Sequence, residues 1–274
     1  MSERYAEPST GPFIPSLEYI QTRKPTFTCV GKELWTIIHQ GSFPAVVTGT
    51  VCASDFYSSY VRTYFERDVR LLTEVGDELQ FLQFLTAVAN RTGQVLNYSD
   101  IGKEAGISGT TVKRWIFILV TTGIAYVLYP HTANVKKHGL KTPKIYFLDT
   151  GLACWLTKWK TAEVLQSGAM AGPMFETFII SEVLKSFFNS GHYPMVSFYR
   201  DKDGKEIDLL IDEGEFMYPV EIIKKTTPTT QELANFTLMK QFRNKKIGPK
   251  VVVFSSDKLT TLGEDAYALL ISYL

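Results

Sequence analysis

Residues 199–225, YRDKDGKEIDLLIDEGEFMYPVEIIKK, constrain this chain more than any other stretch. Two runs in it, EIDLLID and FMYPVEII, have the length and β-branched, aromatic content of strands, and the turn signal Glu213-Gly214-Glu215 separates them. Each run carries one carboxylate among apolar neighbours: Asp208 between Ile207 and Leu209, and Glu221 between Val220 and Ile222. Side chains alternate along a strand, so a hairpin closing across Gly214 can set both acids on one face. Two acids on one surface, followed directly by Lys224 and Lys225, can hold a divalent cation near a phosphodiester. The same residues also fit solvent-facing positions on an edge hairpin.

The flanks extend the pattern. A helical run, GPMFETFIISEVLKSFFNSG, ends at Gly191 and is followed by a short strand, MVSFYR; after the hairpin come a helix, TQELANFTLMKQF, and a strand, KVVVFSS. This order resembles the PD-(D/E)xK nuclease-like fold, in which a helix Glu, a strand Asp and an acid followed two residues later by Lys surround a metal. The resemblance implies catalytic roles for Glu176, Asp208 and Glu221, metal ligation by Asp208 and Glu221, and magnesium as the cofactor. Two residues after Glu221 stands Ile223, where the pattern has Lys. Lys224 takes that role only if a β-bulge turns it inward. A nuclease-like shape is therefore expected, and nuclease activity is not.

The chain of 274 residues is long enough for two domains, and with 45% hydrophobic and 21% charged residues it has the composition of an ordinary globular protein. A formal net charge of +1 gives no global attraction to nucleic acid, so any such binding must come from a local patch. Cys29, Cys52 and Cys154 are odd in number and lack metal-ligand spacing, which suits a reducing cytoplasm. No apolar run reaches the ~18 residues of a membrane span, and Met1 to Pro8 has no signal-peptide core, so a soluble, cytoplasmic protein is expected.

Along the first 30 residues, Pro8, Pro12, Pro15 and Pro25 leave room for one short helix, SLEYIQTR, capped by Ser16. GKELWTIIHQGSFP then reads as a helix with Leu34, Ile37 and Ile38 on one face, stopped by Gly41 and Pro44. A longer helix is expected from an N-cap at Ser54 through DFYSSYVRTYFERDVRLLTEV, with an aromatic face and with Arg67 as a candidate sensor of nucleotide phosphate.

From Leu79 to Asn90 a Phe- and Leu-rich helix precedes NYSDIGKEAGISGTTVKRWIFILVTTGI, which has the pattern of a helix-turn-helix. Ile101, Ala105, Ile107, Val112, Trp115 and Leu119 should pack inward. Thr111, Lys113 and Arg114, at the head of the second helix, are candidate DNA contacts. The strand candidates IAYVLYP and KIYFLD can form a wing around TANVKKHGLKTPK, where Lys136, Lys137 and Lys141 are candidate phosphate contacts. The four histidines are scattered without ligand spacing.

Taken together, GSFPA, FYSSYVRTYFERDV, FLTAVANRTGQVLNYSDIGKEAGIS, TVKRW, KTPKIYFLDTGLACWLT, GAMAGPMFET and FYRDKDGKEIDLLI look like one family. This is the bacterial and archaeal AAA-type ATPases that carry a C-terminal domain of unknown function. The resemblance implies an α+β, multi-domain chain: a connector and helical lid over 1–75, a winged helix over 76–155, and an α/β restriction-endonuclease-like domain with a mixed central sheet over 156–274. It lacks the family's P-loop, GxxxxGK[ST], so the chain looks like a truncated member that should not hydrolyse ATP alone. ATP would matter only with a separate or missing ATPase core. The expected function is binding of DNA or a partner protein without catalysis. The alternatives are a magnesium-dependent DNA nuclease and a docking scaffold for an ATPase subunit, with oligomerisation left open.

Overall fold

Helices with buried apolar faces and a mixed β-sheet make up the chain, which a computed structural model describes over residues 11–24, 29–69, 78–131, 142–227, 229–255, 260–263 and 265–274. It divides into two units, one of Leu34–Val127 and Thr142–Phe178, the other of the described parts of Met1–Glu33, Leu128–Lys141 and Ile179–Leu274. Among the described residues no helix is long and apolar enough to cross a membrane.

In the first unit, α2 (Gly31–Gln40) buries Leu34, Ile37 and Ile38 as its spacing predicts, and stops at Gly41, whose φ of 79° only glycine adopts readily. After α3 (Pro44–Val47), α4 (Ala53–Tyr64) begins one residue before the expected cap. Its N-cap is Cys52, which makes no side-chain cap bond, so Ser54 lies inside the helix and not at its start. The helix passes into one π-helical turn over Phe65–Val69, and the remainder of the expected helix lies outside the described residues. Its aromatic face is core: Tyr57, Tyr64 and Phe65 are buried, and Phe56 and Tyr60 pack against Phe43 with ring centroids 5.0 and 4.8 Å away.

Helices α5 (Glu78–Ala89), α6 (Tyr98–Ala105) and α7 (Gly109–Thr121) follow, with Phe81 and Phe84 each 5.2 Å from the Trp115 ring. Three short strands, β1 (Gln94–Val95), β2 (Ala125–Leu128) and β3 (Lys144–Phe147), form a sheet in the order β1-β3-β2. Asp149 then caps α8 (Thr150–Leu156). Its Oδ1 accepts from Leu152 N–H at 2.8 Å and from the Tyr57 hydroxyl at 2.6 Å, and its Oδ2 accepts from Ser42 N–H at 2.7 Å. This buried carboxylate ties the Gly41-Ser42 turn to the Asp149-Thr150-Gly151 turn, and a Cβ on Gly151 would collide with Tyr57 and the Gln40 backbone. After α9 (Ala162–Ser167), α10 (Ala171–Asn189) begins.

In the second unit, α1 (Leu17–Thr22) is capped by Ser16, as expected, and the later part of α10 buries Ile179, Ile180, Val183, Leu184 and Phe187. The sheet comprises β4 (Val196–Arg200), β5 (Glu206–Glu213), β6 (Phe216–Ile223), β7 (Lys246–Ile247), β8 (Lys250–Phe254), β9 (Thr260–Gly263) and β10 (Ala266–Leu270). Its order is β4-β5-β6-β8-β10-β9, with β7 beside β6; the β4-β5-β6 pairs are antiparallel, whereas β6-β8 and β8-β10 are parallel. Between β6 and β8 the expected helix forms as a 3-10 helix over Thr230–Gln241, opened by a capping box between Thr229 and Glu232. It lays Leu238 and Met239, with Phe242 just after it, on Ile207, Leu210 and Met217 of the hairpin.

Candidate functional site

The hairpin closes in the register Leu209↔Val220 through Glu213↔Phe216, leaving Gly214 and Glu215 as a two-residue loop. Gly214 has a φ of 71°, its N–H donates to Asp212 Oδ1 at 3.0 Å, and Lys245 Nζ donates to Asp212 Oδ1 and to the Gly214 carbonyl at 2.7 and 2.6 Å. One step beyond the Leu209↔Val220 pair stand Asp208 and Glu221, and their carboxyl groups lie within hydrogen-bonding reach of each other. A register shift falls at the same place on the other side of β5. Between Ser197↔Leu210 and Tyr199↔Ile207, β4 contributes Phe198 alone while β5 contributes Asp208 and Leu209. The sheet therefore has a β-bulge at Asp208, a device that re-aims one side chain within a strand.

Glu221 is 5% exposed, and its Oε1 has no hydrogen-bond partner among the described residues. Burial pushes its carboxyl up to about 10; the neighbouring charge of Asp208 adds to the shift, and the side chain of Asn235 opposes it. The Asp208–Glu221 pair accordingly favours keeping a proton between its two carboxyl groups. Asp208 Oδ2 accepts the Ile222 N–H at 2.8 Å, which fixes that side chain against the partner strand.

Two adjacent carboxylates, one with an unmatched buried oxygen, are hard-oxygen donors of the kind a divalent cation takes in place of the shared proton. Asp208 and Glu221 thus fit a metal ion as a pair. The carboxylate of Glu176 has its own partners: its Oε1 accepts from Lys144 Nζ at 2.9 Å and from the Tyr146 hydroxyl at 2.6 Å. Among the described residues no group of three or more His, Cys, Asp or Glu side chains is placed to share a metal. Nor is there a bulge on β6 after Glu221, because its pairing with β8 runs without a shift from Val220↔Val251 to Ile223↔Phe254. Lys224 follows the strand at an exposed position, and Lys225 bonds Glu232 at 2.8 Å.

The second candidate surface lies on α6 and α7. Asn97 caps α6 through the N–H groups of Ser99 and Asp100, Gly106 takes the left-handed conformation at φ 66°, and Ser108 caps α7 by accepting from Thr111 N–H at 3.0 Å. Ile101, Ala105, Val112, Trp115 and Leu119 are buried, as their spacing requires. Lys113 and Arg114 are exposed and form no ion pair among the described residues; Lys113 Nζ lies 5.3 Å from the centre of the Tyr98 ring. Thr111 differs from them. It is half-buried, and its hydroxyl is bonded to Ser108 at 2.8 Å within the cap. Phe117, 69% exposed further along α7, and Asn235 beside Glu221 were not singled out by sequence, since neither residue type signals a site by spacing alone. Arg67 is exposed on the π-helical turn, whereas Lys136, Lys137 and Lys141 lie outside the described residues.

Residues 31–163 match a family model described as domain of unknown function DUF8612, and residues 171–274 match domain of unknown function DUF4143. Among curated proteins, the uncharacterized protein Rv2008c of Mycobacterium tuberculosis and the uncharacterized protein Mb2031c of Mycobacterium bovis are each 25% identical over 170 residues. Each match covers 62% of this chain and 38% of the relative, so the region shared is little more than a third of those proteins.

Proposed function

We propose that this chain is a nucleic-acid-binding module from the C-terminal part of an AAA-type ATPase, with α6, α7, β2 and β3 acting as a winged helix. The observation that carries this reading is the exposed pair Lys113 and Arg114 at the head of α7, two cations that no described carboxylate neutralises. Cations so placed are available to phosphate. The match to DUF4143, a domain typically found in C-terminal regions of AAA ATPases, supports the ATPase context. On this reading the PD-(D/E)xK-like sheet is a scaffold, since Lys224 is exposed beyond β6 and Glu176 is bonded to Lys144 and Tyr146. Fluorescence anisotropy with a labelled duplex, titrated across a salt series, tests the proposal. Binding that weakens with salt supports it, and absence of binding at low salt overturns it in favour of a protein partner docking on the same helix.

A second reading, a magnesium-dependent nuclease, is favoured by one observation: the unmatched Oε1 of Glu221 beside Asp208. A divalent ion there would polarise a phosphoryl oxygen and acidify a bound water. Supercoiled plasmid incubated with magnesium or manganese, with Asp208→Ala as the control, separates the two readings. Cleavage lost in the control would establish the enzyme.

A further inference from the structure

A groove of about 520 Å³ opens along α5, where Leu79, Leu82, Gln83 and Thr86 fall at the spacing of one helix face. Trp155 and Leu156, from the end of α8, form the opposite wall. Its size lies within the range of about 300–1,000 Å³ usual for small-molecule sites. The walls are mainly apolar, and Leu79 is 64% exposed, so the groove presents oily surface to solvent.

Two charges lie at the edge, and they are not equivalent. Glu104 is held by Arg91 Nη1 at 2.7 Å, which matches its charge. Lys158, exposed to solvent, forms no ion pair among the described residues. Its backbone is also unusual: at φ 60° Lys158 occupies the left-handed position just past the Thr157 C-cap of α8, where glycine is the low-energy residue. Lys158 thus keeps a side chain at the groove edge where glycine would adopt the same backbone at lower cost.

We propose that this groove binds a small amphipathic carboxylate, with its chain or ring on Leu79, Leu82 and Trp155 and its anionic head on the ammonium of Lys158. An amphipathic cation finds no unmatched carboxylate on this edge, and a neutral ligand gains nothing from the solvent-exposed ammonium of Lys158. Neither Lys113 nor Arg114 lines this groove, and the proposal stands independently of the nucleic-acid reading.

Calorimetric titration of the full chain with octanoate, octylammonium, 1-octanol and acetate tests it. Octanoate is expected to saturate one site and to bind at least about tenfold more tightly than octylammonium or acetate. Lys158→Gly relieves the left-handed strain, so the melting temperature should hold or rise while octanoate affinity falls about tenfold, to the level of octanol. Leu79→Glu, at an exposed position, should weaken octanoate and octanol alike. The proposal is overturned by octanoate that fails to saturate, by equal binding of octylammonium, or by unchanged octanoate affinity in either variant.

Discussion

Asp208 Oδ2 accepts the backbone N–H of Ile222 at 2.8 Å, so a side chain of β5 is fastened to the main chain of β6 at the residue after Glu221. With the bulge at Asp208, this bond holds one carboxyl beside another that is almost fully buried. The arrangement has a direct consequence for stability.

Burial, and after it the neighbouring Asp208, raise the folded-state value of Glu221 far above the roughly 4.3 of an unfolded chain. Between those values the folded state binds the additional proton. The associated stability is therefore complete below the unfolded value and is lost as pH rises toward the folded one, by at most about 1.4 kcal/mol per pH unit. Glu221→Gln removes this dependence. Urea denaturation at about pH 5, 7 and 9 should give a flatter profile for the variant, which becomes more stable than the parent at the alkaline end. A parent that gains stability relative to Glu221→Gln across that window would contradict the buried, protonated assignment.

Lys144 and Glu176 form a largely buried ion pair, with side-chain exposures of 6% and 18%. Removing one partner strands the other, so Lys144→Ala should cost about 3 kcal/mol. Replacing both, as Lys144→Met with Glu176→Leu, should recover much of that loss because no buried charge remains. A double-mutant cycle of Lys144→Met, Glu176→Leu and the two together, read on urea midpoints, measures the coupling. Additive single and double effects would mean that the two groups do not interact.

Asp149 draws the Tyr57 hydroxyl and the Ser42 and Leu152 N–H groups to one buried carboxylate. Asp149→Ala leaves the Ser42 and Leu152 N–H groups without their acceptor, while the Tyr57 hydroxyl keeps only the Gln40 carbonyl at 2.9 Å, and a loss of about 3 kcal/mol is expected. Gly151→Ala attacks the same node by shape, since its Cβ meets the Tyr57 hydroxyl and the Gln40 backbone. Thermal denaturation should show both variants well below the parent, with Gly172→Ala, at an open glycine, close to it.

Features dictated by local chemistry were legible in the sequence. The hairpin around Gly214 follows from strand runs broken by a glycine turn, and the cap at Ser16 and the turn at Gly106 follow from residues with strong conformational preferences. Features decided by tertiary pairing were not. The sequence allows a bulge on β6, after Glu221, whereas the sheet places it on β5, where the opposing strand β4 contributes one residue fewer. Glu176 reads as a free acid on a helix, because Lys144 and Tyr146 reach it from a strand about 30 residues earlier. The short strands β9 and β10 carry little pattern of their own, and β10 is fixed by its parallel pairing with β8.

Lys113 and Arg114 provide the sharpest test of the nucleic-acid reading. Each phosphate contact releases condensed counterions, so one lost contact should lower the slope of log affinity against log salt by about 0.9. Lys113→Ala and Arg114→Ala should each weaken duplex binding at low salt and flatten that slope by about one contact, without altering the fold, since both side chains are exposed. Thr111→Ala should instead lower thermal stability modestly, as its hydroxyl supports the Ser108 cap. Anisotropy titrations at three or more salt concentrations, alongside melting curves, separate these outcomes. If the lysine and arginine variants keep the parental slope, the head of α7 makes no phosphate contact, and the exposed Phe117 face becomes the better candidate for a protein partner.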